Sequence, residues 1–472
     1  MSAAASDVAS LSWHQRVVEA VVSPVVTEGI GGFERTSGSG GRRLRVLLDG
    51  RMFVGRFAGV SRYVSSLVDH LSRDNSLALS VLCGDSGYEW LEAYPGVRMI
   101  GSTFGKRDRR AFRRWMWEEL RLPGIIRRSG VDVFHATWNS GIGLRCGVPS
   151  ILTLHDLIPW RDPSRHFYYS HDSFGYRMAT SISVRRAHRV VGVSGHSVAD
   201  ICARFAKACS KTVAIPNGVD LPCVAQEALS RRVAEGDEAY VLYVGGLGSR
   251  KNIAGLLSVM SVLWERHGLR HRLLLTGNPS GLPAEAIREL DRLTARTGMA
   301  RRGGETGANL RDRVEFLGHV DDRHLARLYA GASALVTMSR DEGFGLPVLE
   351  AMAYGCPVVA SACGALPEVV GSAGRLVDPD SPAAAADVLA GVLGDVDLRS
   401  VMAASGRERA RGFSWSSAAR RLSALYREVA FSRGVRWGIS NRVDIGSAGG
   451  NSARAGRIDL RDSGARSAGR CG

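Results

Sequence analysis

Short apolar runs alternate with helical stretches through most of the chain, and few folds accommodate that pattern. In the first half, the runs typical of strands are RVLLDG, LALSVLCG, VDVFHA, SILTLHD, RVVGVS and TVAIPNG; in the second half they are YVLYVGG, HRLLLTGN, VEFLGHV, ALVTMS, PVVASA and GRLVDP. Strands that alternate with helices form parallel sheets with helices on both faces. A polar segment, 221–238, separates the two sets. We therefore predict two doubly wound α/β domains with a cleft between them.

The two ends of the chain differ in composition from the rest of its 472 residues. Residues 1–43 end in the Gly/Ser-rich stretch TSGSGGRR, and residues 432–472 are rich in Gly, Ser and Arg. Such segments carry too few large apolar groups to form a core, so we predict two flexible tails. The first domain would then span 44–222 and the second 239–431.

Composition indicates a globular protein without a membrane span. Hydrophobic residues make up 45% of the chain, yet no apolar run reaches the roughly 18 residues that a bilayer requires. The first thirty residues lack the pattern of a signal peptide, so we expect a cytoplasmic protein. The eight cysteines form no CxxC and no zinc-type spacing, and we expect free thiols.

The net charge of +16 favours anionic partners such as nucleotide phosphates, phospholipid head groups or nucleic acid. Eight arginines against three aspartates lie in the 432–472 tail. The segment 106–128 has nine cations and three acids, and places Phe112, Trp115 and Met116 on one helical side. Such a helix could lie on the anionic inner face of the plasma membrane, or it could pack its aromatic side chains inward; the sequence leaves both open.

Unusual residues follow the predicted strands. The loops GRFAGVSRY, HDLIP and VSGHS follow strands of the first half, and GGLGSRKN and SRDEGFG follow strands of the second. Open parallel sheets bind ligands beyond the carboxyl ends of their strands. We therefore expect these loops to line one shared cleft.

The loop GGLGSRKN does not match the common nucleotide-binding motifs. Lys251 occupies the third glycine position of a dinucleotide motif, and the Walker spacing is absent. The tight glycine turn instead delivers Arg250 and Lys251 to the start of a predicted helix, where a diphosphate would bind well. A solvated basic turn is the alternative.

Two acids, Glu342 and Glu350, flank a glycine-containing loop in SRDEGFGLPVLEAMAYG. The loop glycines would let the backbone approach a ligand closely, and Pro347 would begin a helix that ends at Gly355. A carboxylate can accept hydrogen bonds from both hydroxyls of a diol, as on ribose or a pyranose. The alternative is a capping acid followed by a solvated helix glutamate.

Taken in order, these motifs resemble the retaining glycosyltransferases of family 4, which have the GT-B fold, and among them the bacterial polysaccharide mannosyltransferases. The resemblance covers about residues 44–431 and rests on the segments AGVSRY, VFHATWN, HDLIP, VSGHS, IPNGVD, YVGGLGSRKN, FLGHV, EGFGLPVLE and LPEVVG. One motif departs from the pattern: VSGHS has Gly195 and His196 where relatives commonly carry an acid and an aromatic residue.

The resemblance implies a catalytic group. Glu342 would contact hydroxyls of the donor sugar near its reacting carbon, and His155 of the first domain would face that sugar from across the cleft. Arg250 and Lys251 would neutralise the departing diphosphate. 

The resemblance also implies a donor-binding group, in which Glu350 holds the ribose diol and glycine loops and backbone amides surround the diphosphate. Its members are Gly59, Gly246, Arg250, Lys251, Phe344, Gly345, Leu346 and Glu350.

The activity implied is transfer of a hexose from a nucleotide sugar, with GDP-mannose favoured over UDP-sugars and other GDP-sugars, to a glycan or glycolipid hydroxyl with retention of configuration. We expect no cofactor and no metal, because Arg250 and Lys251 supply positive charge and the pairs Asp378/Asp380 and Asp395/Asp397 fit turns and helix links. The alternative is a non-catalytic nucleotide-sugar-binding protein on the same fold. A nucleic-acid partner, suggested by charge alone, would leave the glycine loops unexplained, and we expect none.

Overall fold

The computed structural model describes residues 42–53, 59–85, 88–163, 170–220, 239–295 and 310–432. The predicted tails, 1–43 and 432–472, lie almost entirely outside the described residues, and both stay predictions.

The first sheet has seven strands, all parallel, in the order β3-β2-β1-β4-β5-β6-β7. They are β1 Leu44–Asp49, β2 Leu77–Cys83, β3 Arg98–Gly101, β4 Val133–Ala136, β5 Ser150–Leu154, β6 Arg189–Gly192 and β7 Thr212–Ala214. Six of these were predicted. The edge strand β3 was not, because its residues are mostly exposed and show no apolar run.

The second sheet has six parallel strands in the order β10-β9-β8-β11-β12-β13. They are β8 Tyr240–Tyr243, β9 Arg272–Thr276, β10 Val314–Gly318, β11 Ala334–Thr337, β12 Val358–Ser361 and β13 Arg375–Val377. All six were predicted. Two doubly wound parallel sheets are thus confirmed.

Helices join the strands and cover the sheets. They are α1 Gly59–Leu71, α2 Ala111–Leu120, α3 Leu122–Ser129, α4 Ile158–Arg161, α5 Ser170–Arg186, α6 Gly195–Arg204, α7 Ile253–Arg266, α8 Ala284–Ala295, α9 Asp322–Gly331, α10 Leu346–Ala353, α11 Leu366–Val370, α12 Pro382–Gly394, α13 Val396–Arg411 and α14 Trp415–Phe431. Single 3₁₀ turns lie at Glu89–Ala93, Lys106–Arg109, Ala206–Lys211, Ser249–Lys251, Pro279–Gly281 and Leu310–Arg313.

The apolar runs become buried strands because both faces of each sheet carry helices. Strands β4, β5, β11 and β12 are buried at every position. Helix α1 buries Tyr63, Val64, Leu67, Val68 and Leu71, a spacing of three and four residues that keeps one face against the sheet. Each such side chain contributes about 1.5–3 kcal/mol when fully buried.

Both sheets reverse their strand order next to their first strand, which is where ligands bind in folds of this class. In the first sheet the reversal separates β1 from β4, and in the second it separates β8 from β11. The glycine turn with Arg250 follows β8, and the loop with Glu342 follows β11. The predicted site loops therefore leave adjacent strands.

The last helix, α14, packs against the first domain. The Tyr426 hydroxyl lies 2.7 Å from Nδ1 of His135 in β4, and Arg427 donates to Asp74 at 3.0 Å. The range 239–431 for the second domain stays a prediction, and α14 within that range packs on the first sheet's side. No periodicity in α14 could reveal which domain supplies its partner.

The cysteine prediction needs one correction. Cys202, on α6, forms a disulfide with Cys209 in the 3₁₀ turn that follows, with the two Cα atoms 4.7 Å apart. The chain turns back after α6 and brings together two cysteines whose spacing of seven residues matches no motif. Among the described residues, no helix is long and apolar enough to cross a bilayer.

Candidate active site

A cleft of about 720 Å³ lies between the loops of the two sheets. All ten residues of the predicted catalytic and donor-binding groups line it: Gly59, His155, Gly246, Arg250, Lys251, Glu342, Phe344, Gly345, Leu346 and Glu350. The structure thus brings the predicted set into one place, and their individual roles remain to be tested.

The centre of the cleft is a cluster of one acid and two cations. The Lys251 ammonium donates to Oε1 of Glu342, and Nη1 of Arg250 donates to Oε2 of Glu342 at 3.0 Å. The same Arg250 nitrogen donates to the Asp341 carbonyl at 2.9 Å. The sequence analysis gave the acid to the sugar and the cations to the diphosphate, and did not anticipate their direct pairing.

Backbone geometry places the two cations. The turn after β8 passes through Gly245 at φ +149°, which favours glycine. A 3₁₀ turn, Ser249–Lys251, leads into α7, and the Asn252 side chain caps that helix by accepting from Gly255 N at 3.2 Å. Arg250 and Lys251 therefore stand directly before a helix, as predicted.

The cluster keeps Glu342 ionised. Burial alone would raise the pKa of this carboxyl, but Lys251 and Arg250 outweigh burial and lower its pKa to about 2. Burial lowers the pKa of Lys251 against the opposing charge of Glu342. Glu342 can therefore accept hydrogen bonds and stabilise positive charge at neutral pH, but it has no proton to donate.

The second acid, Glu350, lies in α10 and is also buried. The Tyr329 hydroxyl donates to its Oε2 at 2.8 Å, and Nε of Arg62 lies 3.2 Å from its Oε1. Burial raises the Glu350 pKa, against the opposing effects of Arg62 and Tyr329. Arg62 comes from α1 of the first domain and also pairs with Asp322 at 2.6 Å.

Arg62 is a cleft residue that the sequence analysis missed. The signal was present, because Arg62 lies within the quoted motif AGVSRY, but only its glycine was interpreted. An arginine next to a glycine loop, at the edge of a sheet where ligands bind, should have been counted among the candidate site residues.

The loop between the acids differs from expectation in two details. Helix α10 begins at Leu346 rather than Pro347 and ends at Ala353, with Gly355 following at φ +70°. Phe344 is buried against Phe413 with ring centroids 5.9 Å apart. The contribution of Phe344 to the cleft is therefore its backbone.

His155 enters the cleft from the first domain as a neutral imidazole. Its Nε2 lies 2.8 Å from the Thr137 carbonyl, which can only accept, so Nε2 carries the proton and Nδ1 is an acceptor. Burial lowers the pKa of His155 to about 4. The Asn139 side chain fixes the backbone here, accepting from His155 N at 2.9 Å and donating to the Asp156 carbonyl at 3.0 Å.

The VSGHS motif joins the two domains. The Ser194 hydroxyl caps α6 and donates to the Gly343 carbonyl at 2.7 Å, while the Ser197 hydroxyl donates to the His155 carbonyl at 3.0 Å. A Cβ on Gly343 would lie 2.2 Å from the His155 carbonyl oxygen. Only glycine permits this approach of the second domain's loop to the first domain.

The two DxD pairs lie outside the cleft lining. Asp378 accepts from Asp380 N at 2.9 Å in the turn after β13, and Asp395 caps α13 by accepting from Leu398 N at 2.8 Å. Both serve backbone geometry. Among the described residues, no group of three potential ligands is arranged to hold a metal ion.

The segment 106–128 has both buried and exposed side chains. On α2, Arg114, Trp117 and Glu118 are buried, so part of the segment packs inward. Met116 and Leu120 on the same helix are exposed, by 39% and 68%.

Comparison with known proteins identifies the family. A model described as Glycosyltransferase Family 4 matches residues 57–222, and one described as Glycosyl transferases group 1 matches residues 225–409. The D-inositol 3-phosphate glycosyltransferase of Actinosynnema mirum is 32% identical over 310 residues, which are 62% of this chain and 72% of that protein. This chain belongs to glycosyltransferase family 4.

A second relative of this family 4 glycosyltransferase is the O-antigen chain mannosyltransferase B of Escherichia coli, 37% identical over 180 residues. That match covers 38% of this chain and 43% of the mannosyltransferase. The chain therefore spans about half, or less, of the length of several curated relatives that it matches.

Solved structures show the fold of this glycosyltransferase. Sucrose-phosphate synthase from Thermosynechococcus elongatus superimposes with a TM-score of 0.64 at 23% identity, covering 83% of this chain and 100% of that one. HepE of Anabaena in complex with UDP-glucose gives 0.60 at 19% identity, covering 82% and 100%. The two parallel-sheet domains form the GT-B fold implied by the sequence motifs.

Proposed function

We propose that this family 4 enzyme transfers a hexose, with mannose favoured, from a nucleoside-diphosphate sugar to a hydroxyl acceptor of a polysaccharide, glycolipid or cell-envelope glycan. The observation that carries the proposal is the meeting of Glu342, Arg250 and Lys251 in a cleft whose opposite wall supplies His155. The mannosyltransferase relative supports mannose as the transferred sugar. The structural neighbour that holds UDP-glucose supports a nucleotide sugar in general.

Arg250 and Lys251 stabilise the departing diphosphate in this proposal. With Glu342 ionised, the three side chains carry a net charge of +1. The negative charge of a donor diphosphate would be bound by the same two cations that Glu342 binds, in a site removed from bulk water. Preorganised charge of this kind is the largest contribution to catalysis in many transferases.

We propose retention of configuration because the family resemblance implies it, and the side chains of the cleft are compatible with it. Glu342 accepts from two cations, which reduces its nucleophilicity, and it holds no proton at neutral pH. His155 is neutral and keeps its Nε2 proton on the Thr137 carbonyl. We propose that the acceptor hydroxyl attacks on the face that the diphosphate leaves and passes its proton to a phosphate oxygen, while Glu342 stabilises the positive charge at the sugar.

The same cleft binds the rest of the donor. Glu350 accepts hydrogen bonds from the ribose diol, next to Arg62 and Tyr329. The amide of Leu346, at the start of α10, has no partner within the helix by the geometry of helix ends and faces the ligand. 

The reaction requires no metal in this proposal, because Arg250 and Lys251 supply the charge. Activity measured with excess EDTA should equal activity without it. Loss on chelation that manganese or magnesium restores would show that a divalent cation is needed.

The enzyme also contacts anionic membrane through the first domain. Met116 and Leu120 on α2 and Phe174 on α5 are exposed, and the Trp115 and Phe174 rings lie 6.0 Å apart, so the two helices form one surface. Exposed arginines surround it, and an apolar surface ringed by cations fits an acidic bilayer. Binding to phosphatidylglycerol vesicles should weaken with salt and be lost in Leu120→Glu/Phe174→Glu, but not in Val401→Glu on the second domain.

The decisive experiment is a donor screen followed by a turnover assay. GDP-mannose, other GDP-sugars and UDP-sugars are compared for protection against thermal unfolding, because a ligand that binds the folded state stabilises it. The stabilising donors are then assayed for transfer to undecaprenyl-linked glycans and to inositol phosphate, with the product anomer read by NMR. Transfer with retention supports the proposal. Binding without transfer to any acceptor supports the non-catalytic alternative, and inversion contradicts the mechanism.

A further inference from the structure

Four ionisable side chains meet across the cleft, directly behind the loop that carries Glu342. Arg161 on α4 and His196 and Asp200 on α6 belong to the first domain, and Asp341 belongs to the second. Arg161 pairs with Asp200 at 3.2 Å and also with Asp341. His196 lies within the motif that departs from the family pattern, and nothing in the proposed reaction uses this cluster.

Two atoms of this cluster face each other just beyond hydrogen-bond distance. Nε2 of His196 lies 3.6 Å from Oδ1 of Asp341 and equally 3.6 Å from Oδ2 of Asp200 on its own helix. Nε2 of His196 and Oδ1 of Asp341 are both buried without a hydrogen-bond partner in the described part of the chain. Buried polar atoms are nearly always paired. A shift of less than about 1 Å between the domains would bring these two to an ordinary bond length.

The charges around His196 favour its protonated form. With a neutral imidazole, Asp200 and Asp341 share the single charge of Arg161. Glu368 of α11 adds a third acid and accepts from Gly195 N at 2.8 Å and from His196 N at 3.3 Å. Burial lowers the pKa of His196, but the nearby carboxylates of Asp341 and Asp200 outweigh burial and raise it.

Asp341 connects this cluster to the donor site. Its backbone carbonyl accepts from Nη1 of Arg250 at 2.9 Å, and the same nitrogen donates to Glu342 at 3.0 Å. A displacement of Asp341 therefore moves both a cation and the acid of the cleft.

We propose that His196 is a positioning residue: when protonated it binds Asp341 across the cleft and fixes Glu342 and Arg250 for transfer. The inference rests on the proposed role of Glu342 at the donor sugar. Because the contact raises the His196 pKa, it is fully present below the ordinary pKa of histidine and is lost as pH rises through the raised value. The profile of turnover against pH therefore has a limb in which turnover falls as pH rises.

The test compares pH profiles of kcat and KM between pH 5.5 and 9 in four proteins: wild type, His196→Gln, Asp341→Asn and the double variant. In wild type, kcat should fall by about ten- to a hundredfold, the range of a hydrogen bond to a charged group. The kcat of His196→Gln should not change with pH and should equal the wild-type value at high pH. Asp341→Asn should shift the limb to lower pH, and the double variant should be no slower than either single variant at pH 6.

His196→Arg provides the rescue, because a permanent charge at this position should keep kcat high at pH 9. A matched control is the pair His267–Asp387, which lies at 2.8 Å on the surface of the second domain. Its variants His267→Gln and Asp387→Asn should leave the wild-type limb intact. His155 cannot produce the limb, because its pKa of about 4 keeps it neutral over the whole range.

GDP binding, measured in parallel by calorimetry, separates this inference from the proposed function. If wild type and His196→Gln bind GDP equally and both keep the same falling limb, His196 has no positioning role. If no nucleotide binds wild type at any pH, the proposed function itself fails.

Discussion

The carboxylate of Glu342 is neutralised within the protein by two cations from another loop, Arg250 and Lys251. A donor diphosphate must therefore share these cations with an acid already in place. In the proposed function, the acid would lower the affinity of both cations for phosphate, so that the charges that attract the donor do not retain the product too tightly. Removing one cation and removing the acid should have opposite effects on the free nucleotide.

Lys251→Ala should weaken GDP binding by about 1.5–3 kcal/mol, the range for a hydrogen bond to a charged group. Glu342→Gln should bind GDP at least as tightly as wild type and lose turnover. Calorimetry with GDP measures the first effect, and donor turnover measures the second. Lys207→Ala, an exposed lysine outside the cleft, is the matched control. Unchanged GDP affinity in Lys251→Ala would contradict the assignment.

Glu350→Gln should weaken binding of GDP and of the full donor alike, because the charge-assisted bonds to the ribose diol are lost. A 2′,3′-dideoxyribose analogue should bind wild type and Glu350→Gln equally, since the diol is absent. Isothermal titration of both nucleotides into both proteins decides the point. Equal losses with the analogue and with GDP would place Glu350 away from the ribose.

At this scale the sequence predicted which residues line the cleft but not how they pair. Residue types, glycine turns and strand ends are local properties, and they identified Glu342, Lys251 and His155. The Lys251–Glu342 ion pair depends on two loops, 91 residues apart, leaving adjacent strands at the point where the strand order reverses. The distance in space between Lys251 and Glu342 is set by the order of the strands in the sheet and not by the sequence of either loop.

Among the elements, the loop after β11 is fixed by its glycines as much as by its acids. Gly345 has φ +107°, and Gly343 lies against the first domain. Gly343→Ala would place a methyl group 2.2 Å from the His155 carbonyl oxygen, so the loop must move and carry Glu342 with it. The variant should fold but lose at least tenfold in turnover, because small misplacements of catalytic groups have large effects on rate.

The control is Gly391→Ala in α12, where a Cβ meets nothing within 4 Å. This change should stabilise the protein by about 0.4–1 kcal/mol and leave turnover unchanged. Thermal unfolding and steady-state assays on both variants test the pair. Wild-type turnover in Gly343→Ala would show that the close contact is not needed for activity.

Elements with long apolar runs were predictable, and elements defined by their surroundings were not. Strands such as β11 and β12 are buried on both faces, so their composition identifies them. The edge strand β3 is mostly exposed and carries no such signal. Helix α14 was predicted to belong to the domain that precedes it in sequence, and its true partner depends on the path of the chain.

In the whole molecule, the chain crosses between the domains at two neighbouring places. Val219 N donates to the Phe413 carbonyl at 2.9 Å, so the segment that leaves the first domain lies beside the segment that returns to it. A Cβ on Gly218 would lie 2.0 Å from Trp415 N, which shows how closely they approach. The two crossing segments are therefore packed against each other, on the side of α14.

Because α14 packs against the first domain, the stability of that domain depends on the end of the described chain. Tyr426→Phe removes a buried hydroxyl and leaves Nδ1 of His135 without its 2.7 Å partner. An unpaired buried polar group costs about 1–3 kcal/mol, and His135 cannot recover it by ionising, since burial lowers its pKa to about 3. By contrast, Glu428→Ala on the same helix breaks an exposed pair with Arg189 of β6, worth less than about 1 kcal/mol. Urea unfolding monitored by intrinsic fluorescence should show the larger loss for Tyr426→Phe, and a chain ending at Phe413 should lose the first domain's cooperative transition altogether. If that shortened chain unfolded at the wild-type urea concentration, α14 would be dispensable and the domain boundary at 431 would stand.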